Sequence, residues 1–194
     1  MHGLINKALQ FFIRDTYGYD TWLDVAHIAE IDPGGFESML TYDDALTVAT
    51  LDAAAQALDK PRDWLLEDLG TYLVSHPNLE AVRRLLRFGG ASFVDFLHSL
   101  DEMPDRARLA VPDLDLPRLE LQPIDDRAFV LDSEWTIPGF GHVMVGLLRT
   151  MADDYGALAY LECLAPSEGR EHVSIRLLDD SFAEGRSFVL AADS

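Results

Sequence analysis

Histidines beside carboxylates are the first residues with a chemistry to offer. His98 has Asp95 and Asp101 three positions away on either side. That spacing places side chains on neighbouring turns of a helix, where a carboxylate can orient an imidazole for proton transfer. The plainer reading is a surface histidine paired with an acid, and it is preferred. His76 precedes Pro77 in a loop-like stretch, where capping or exposure is the expected role. His142 follows the Gly139-Phe140-Gly141 turn and is read the same way. Asp153-Asp154 could hold a cation, but two adjacent acids near a helix end are expected to be solvated. Cys163 is the only cysteine, which excludes an internal disulfide and any multi-cysteine zinc or iron–sulfur site. In a strand-like segment it reads as a small buried hydrophobe. No glycine-rich phosphate loop, GxSxG elbow or HExxH motif occurs. No nucleophile stands beside a base, so an enzyme is not expected.

Composition narrows the partners. The chain has 194 residues, of which 34 are acidic and 15 basic, for a formal charge of -19. Such a field repels phosphate backbones and anionic lipid, so neither nucleic acid nor a membrane surface is an expected partner. No apolar run approaches the roughly 18 residues of a membrane span, and the N-terminus lacks the pattern of a signal peptide. The expected location is the cytoplasm.

The elements that would position these residues fall into two kinds. Leu4, Ile5, Ala8, Leu9, Phe12 and Ile13 recur at helical spacing up to Tyr17-Gly18. A short helix follows around Trp22 and Val25. Thr41 to Asp44 reads as a capping box opening an Ala-rich helix that ends near Leu58. Pro61 suits the first residue of the next helix, which breaks at Ser75-His76-Pro77-Asn78. Leu79 to Phe88 forms another. Ser92 with Asp95 caps a helix that runs through Leu100 until Pro104 stops it. Beyond it, Arg118–Gln122 alternates as a half-exposed strand does, and Ala128–Trp135 reads as a second strand. Val143–Tyr155 is an amphipathic helix. Leu158–Leu164 and Val173–Leu178 are strands joined through Pro166-Ser167-Glu168-Gly169, a hairpin signal. The predicted fold is α+β: a helical N-terminal part packed on a small antiparallel sheet with a crossing helix. Residues 1–182 form the domain and 183–194 a C-terminal tail.

Three stretches carry a family resemblance. Met1-His2-Gly3-Leu4-Ile5-Asn6-Lys7-Ala8-Leu9, with Tyr17-Gly18 and Trp22 after it, resembles the opening of H-NOX (haem–nitric oxide binding) domains. Phe96 to Met103 resembles their proximal helix. Pro112, Pro117, Gly139 and Gly146 stand where the family has prolines and glycines. The similarity covers nearly the whole chain in one order. It implies a helical part on a sheet-containing part with haem between them. A histidine on the proximal helix binds the iron, a Tyr-x-Ser-x-Arg strand holds the propionates, and nitric oxide shifts the proximal helix for a partner to read. Carried over by position, the iron ligand falls on Pro104, the propionate clamp on Ser133, Trp135 and Ile137, and the distal wall on Ile5, Leu73 and Val143.

Those positions have changed chemistry. Proline offers iron no lone pair, isoleucine cannot pair with a carboxylate, and a tryptophan stands in place of a small hydroxyl. His98 lies six positions before Pro104, about 240° around a continuous helix at about 100° per residue. The expectation is a haem family member that binds no haem. It would be a stand-alone sensory domain acting in trans on a signalling enzyme, a histidine kinase or cyclic-di-GMP enzyme by family association. The alternative is a haem-binding nitric oxide sensor with non-standard ligation. If the chain stays extended through Ile137, then Ser133, Trp135 and Ile137 share one face. Trp135 is then expected to be largely buried, to touch the Leu100–Pro104 region or the N-terminal helices, and to shrink the haem-sized cleft.

Overall fold

A computed structural model describes residues 1–186 of the chain, so the last eight residues of the expected tail lie outside the described residues. Seven helices come first: α1 (Gly3–Tyr17), α2 (Tyr19–Ile28), α3 (Asp44–Leu58), α4 (Arg62–Ser75), α5 (Glu80–Arg87), α6 (Phe93–His98) and α7 (Met103–Ala110). A sheet-containing part follows: β1 (Arg118–Asp125), β2 (Ala128–Glu134), α8 (Phe140–Tyr155), β3 (Leu158–Ser167) and β4 (Arg170–Asp179). The strands are antiparallel in the order β1-β2-β4-β3. The predicted α+β division is therefore the observed one.

Most boundaries follow the sequence, and the departures have local causes. Asp43 caps α3 in place of Thr41: its carboxylate accepts from the Ala45 amide at 2.8 Å. Thr41 lies two residues before that cap, in extended backbone bridged to His2. Pro61 is the cap of α4 rather than its first residue. A single 3-10 turn at Pro77–Leu79 precedes α5, with the His76 ring accepting from the Asn78 amide. Helix α6 carries the predicted capping box between Ser92 and Asp95. The helix beyond it is the largest correction. Pro104 does not stop a helix but sits in the first turn of a new one, α7. Proline is at home there because an amide at that position would have no intrahelical acceptor. Helix α8 starts at Phe140, not Val143. The hairpin turn at Glu168-Gly169 has both residues at positive φ, 52° and 77°, as a two-residue turn matching strand twist requires.

Two apolar clusters share one structural bridge. The first gathers Phe12, Trp22, Leu51 and Leu65 from α1 to α4. The second joins Phe96, Leu97 and Leu100 to the inner sheet residues Phe129, Leu131, Val173 and Ile175. Helix α8 serves both, giving Val143 to the first and Met144, Leu148 and Met151 to the second. It runs across one face of the sheet. It also packs on α4 at Gly70 and Gly146, which meet so closely that side chains are excluded. A methyl on Gly146 would collide with the Glu67 carbonyl, and one on Gly70 with the Val143 carbonyl. Neither obstacle is a flexible side chain, so only a shift of a whole helix could relieve it.

The far end of α8 is tied down by charge. Asp154 is buried at 1% exposure and takes a 2.5 Å hydrogen bond from Arg83 on α5. It is not the solvated acid the sequence suggested, although Asp153 beside it is exposed. Residues 183–186 fold back on the same end: Ala183 N donates to Gly156 O at 3.0 Å and Arg186 N to Asp154 O at 3.1 Å.

Replacing Gly146 by Ala should therefore destabilise the protein by about 1–3 kcal/mol, the usual cost of overpacking. Gly169→Ala is the control. Its methyl would meet nothing within 4 Å, so only the left-handed φ is penalised, by about 1–2 kcal/mol. Urea unfolding of the two variants checks this. The additional expectation is that Gly146→Ala, unlike Gly169→Ala, shifts methyl signals of α4.

Candidate functional site

The residues assigned to the family's distal wall do meet. Ile5 from α1, Leu73 from α4 and Val143 from α8 line one apolar cavity of about 140 Å³, together with Trp135 and Ile137. The one lining hydroxyl among the described residues, that of Thr47, is already engaged, donating to Asn6 Oδ1 at 2.7 Å. Pro104 is elsewhere. It is buried in the first turn of α7 and lines a second, open cleft of about 900 Å³ whose walls carry five carboxylates and two arginines, Arg108 and Arg118. Trp135 and Leu116 line both spaces and stand between them.

Trp135 sits there for a local reason. Strand β2 ends at Glu134, so the chain is not extended through Ile137 and the expected shared face does not form. Ser133 is buried in the strand, its hydroxyl donating to Glu171 O at 3.4 Å. Ile137 is buried in the N-terminal cluster. Trp135 is half-buried rather than largely buried, packed against that cluster with its ring edge-on to Phe140 at 5.3 Å. Among the described residues its Nε1 is buried without a hydrogen-bond partner, a cost of about 1–3 kcal/mol for a desolvated donor. The apolar packing of the ring opposes that cost.

The start of α8, at the edge of this site, is held by a carboxylate from the sheet. Glu171 accepts from Gly139 N at 2.5 Å and from Gly141 N at 2.6 Å. A negative group facing the unpaired amides and positive dipole end of a helix is favourable. Cys163 lies beside it, half-buried, and burial followed by the Glu171 charge pushes its thiol up to about 11. At neutral pH such a thiol is inert.

The histidines named from sequence go their separate ways. His98 is exposed, with its ring edge-on to Phe129 at 5.8 Å. It belongs to α6 whereas Pro104 belongs to α7, so the rotation of one continuous helix does not describe their relation. His76 stacks against Tyr72, and His142 lies 3.6 Å from both Asp63 and Glu67. None of them lines the cavity or the cleft; neither does any cysteine, methionine or tyrosine.

A constellation that sequence reasoning missed lies on the open face of the sheet. Ser167 Oγ is 2.8 Å from His172 Nε2, His172 Nδ1 is 2.6 Å from Asp132 Oδ1, and Gln122 donates to Asp132 Oδ2 at 2.6 Å. Each strand supplies one member. The clue available beforehand was only the alternation of β1 and β4. Bringing Asp132 opposite His172 needs the pairing of β2 with β4, and bringing Ser167 to the same ring needs the irregularity between Leu164 and Ser167.

Comparison with known proteins gives this geometry a lineage. The family profile described as HNOB, Haem-NO-binding, matches residues 2–161. Soluble guanylate cyclase 89Da of Drosophila melanogaster is 23% identical over 158 residues, which is 81% of this chain and 24% of that protein. Soluble guanylate cyclase gcy-31 of Caenorhabditis elegans is 23% identical over 154 residues, covering 79% of this chain and 22% of its own. The chain thus spans about a quarter of the length of these curated relatives. The crystal structure of an Fe(II) unliganded H-NOX protein from K. algicida matches with a TM-score of 0.80, over 95% of this chain and 100% of its own, at 16% identity. An oxygen-binding H-NOX domain related to soluble guanylate cyclases, in its oxygen complex, matches with a TM-score of 0.68 at 17% identity, over 96% of this chain and 100% of its own. With the profile covering most of its length and the helical part seated on the four-stranded sheet, this chain belongs to the Haem-NO-binding (H-NOX) family of sensory domains.

Proposed function

We propose that this chain is a haem-independent H-NOX domain that acts in trans on a separate signalling enzyme in the cytoplasm. The observation that carries the reading is the division of the family's ligand cleft. Trp135 and Leu116 separate the distal-wall residues from Pro104. The apolar side, about 140 Å³, is close to the ~150 Å³ that houses one benzene ring. A porphyrin joins four pyrrole rings in one plane and does not fit. The larger cleft beside Pro104 presents no histidine, cysteine, methionine or tyrosine to an iron, and its five carboxylates outnumber its two arginines, Arg108 and Arg118, where the negative propionates of a haem would lie. The residues present therefore do not suit the family's cofactor. The support is joint: ligand position, clamp and space have all changed together.

The relatives named as guanylate cyclases favour a signalling output. A histidine kinase or cyclic-di-GMP enzyme is the expected partner, with the acidic surface of a chain of net charge -19 suited to a basic face on it. That field disfavours nucleic acid and anionic membranes as partners. Among the described residues no helix is long and apolar enough to cross a membrane.

The protein should purify without stoichiometric haem even when expressed with haem supplied. A strong Soret band that moves on adding nitric oxide would instead establish the alternative, a gas sensor with non-standard ligation. Pro104→His alone should still fail to bind haem stoichiometrically in a titration, because the new ligand leaves Trp135 in place. Tight binding by that single variant would show that Trp135 is not the obstacle. Output in trans is checked by isolating the chain with its native partner and assaying it. The partner's kinase or cyclic-di-GMP activity should change when the purified chain is added, and no change across candidate partners would count against action in trans.

A further inference from the structure

The hydrogen-bonded row on the open sheet face has the connectivity of a serine hydrolase triad. Asp132 is 6% exposed and its two oxygens are both held, one by Gln122 and one by the His172 ring. A carboxylate accepts, so in the neutral ring Nδ1 carries the hydrogen and Nε2 presents a lone pair toward Ser167 Oγ at 2.8 Å. A third group orienting a base that touches a hydroxyl is the arrangement that activates a serine. Ser167 is exposed at the last position of β3. The next two amides, of Glu168 and Gly169, turn through positive φ at the hairpin tip and donate to no protein group among the described residues. They are available to an oxyanion formed beside Ser167.

We propose that Ser167, His172 and Asp132 form an acyl-transfer site for small activated carboxylic esters. In the first half-reaction Ser167 Oγ bonds to the acyl carbon while its proton passes to His172 Nε2. The ester C–O bond then breaks, and the leaving alcohol takes that proton. In the second, water gives a proton to His172 and its oxygen bonds to the acyl carbon; Ser167 Oγ departs and recovers the proton. Ser167 and His172 touch the reacting atoms. Asp132 is a positioning residue that fixes the ring's orientation and tautomer. The site lies at the exposed hairpin end of β3, with the exposed Leu164 paired opposite His172, so it takes short acyl groups on good leaving alcohols rather than peptides. The site meets the divided ligand cleft only at Gly169 and does not rest on the haem-independent reading.

The test uses p-nitrophenyl acetate and a fluorophosphonate label on the intact chain. The expected result is a burst of p-nitrophenolate followed by turnover, with a single label mapped by mass spectrometry to Ser167. Ser167→Ala should abolish both, and His172→Gln should lower the rate at least 100-fold, the scale on which positioned acid–base groups act. Asp132→Asn should reduce kcat with KM unchanged, a split that a loosened sheet would not produce. Thermal melts of the three variants establish that each is folded. Labelling that spreads over several residues, or that persists in folded Ser167→Ala or His172→Gln at the wild-type rate, would overturn the proposal and leave the row as a cross-strand polar ladder.

Discussion

Two glycines set the distance between α4 and α8, and the arrangement of both halves follows from it. Gly70 and Gly146 let the helices touch backbone to backbone. Leu65, Leu66 and Tyr72 on α4 then reach the N-terminal cluster, while Met144, Leu148 and Met151 on α8 reach the sheet. Had the contact been made through ordinary side chains, the helices would stand at the usual separation of about 8–10 Å, and the apolar cavity at Leu73 and Val143 would open. The close approach keeps the apolar cavity between these helices small.

One aromatic residue borders both that space and its neighbour. Trp135 follows directly on the end of β2 and faces both the apolar cavity and the charged cleft. Its indole leaves a donor unsatisfied, so the position is held by packing against Phe140 and the N-terminal cluster rather than by polar complementarity. Pro104 makes the same point on the other wall: it occupies a helix start, where its missing amide costs nothing. Both substitutions are accommodated by the local backbone and strain neither element.

Much of this was legible in the residues. Helical periodicity in the first half, alternation in β1, the Ser92–Asp95 box and the Pro166–Gly169 hairpin all reported local physics, and local physics decided them. Ile5, Leu73 and Val143, the positions that family resemblance grouped as one wall, line a common cavity. Two things were not legible. A proline marks the end of one helix or the start of the next with equal chemistry, and only the turn from Ser99 to Glu102 tells them apart. The row from Gln122 to Ser167 depends on strand register and on an irregularity in β3. Residues 132, 167 and 172 have no shared spacing in the chain, and register is a property of the assembled sheet.

Glu171 gives the fold a short mechanical path. Consecutive residues of a strand point to opposite faces, so Glu171 grips the first turn of α8 on the inner side while His172 holds Ser167 and Asp132 on the outer side. A single peptide unit separates the two grips. The start of α8, the helix that borders the apolar cavity, is thus joined to the polar row through Glu171, one peptide unit and His172.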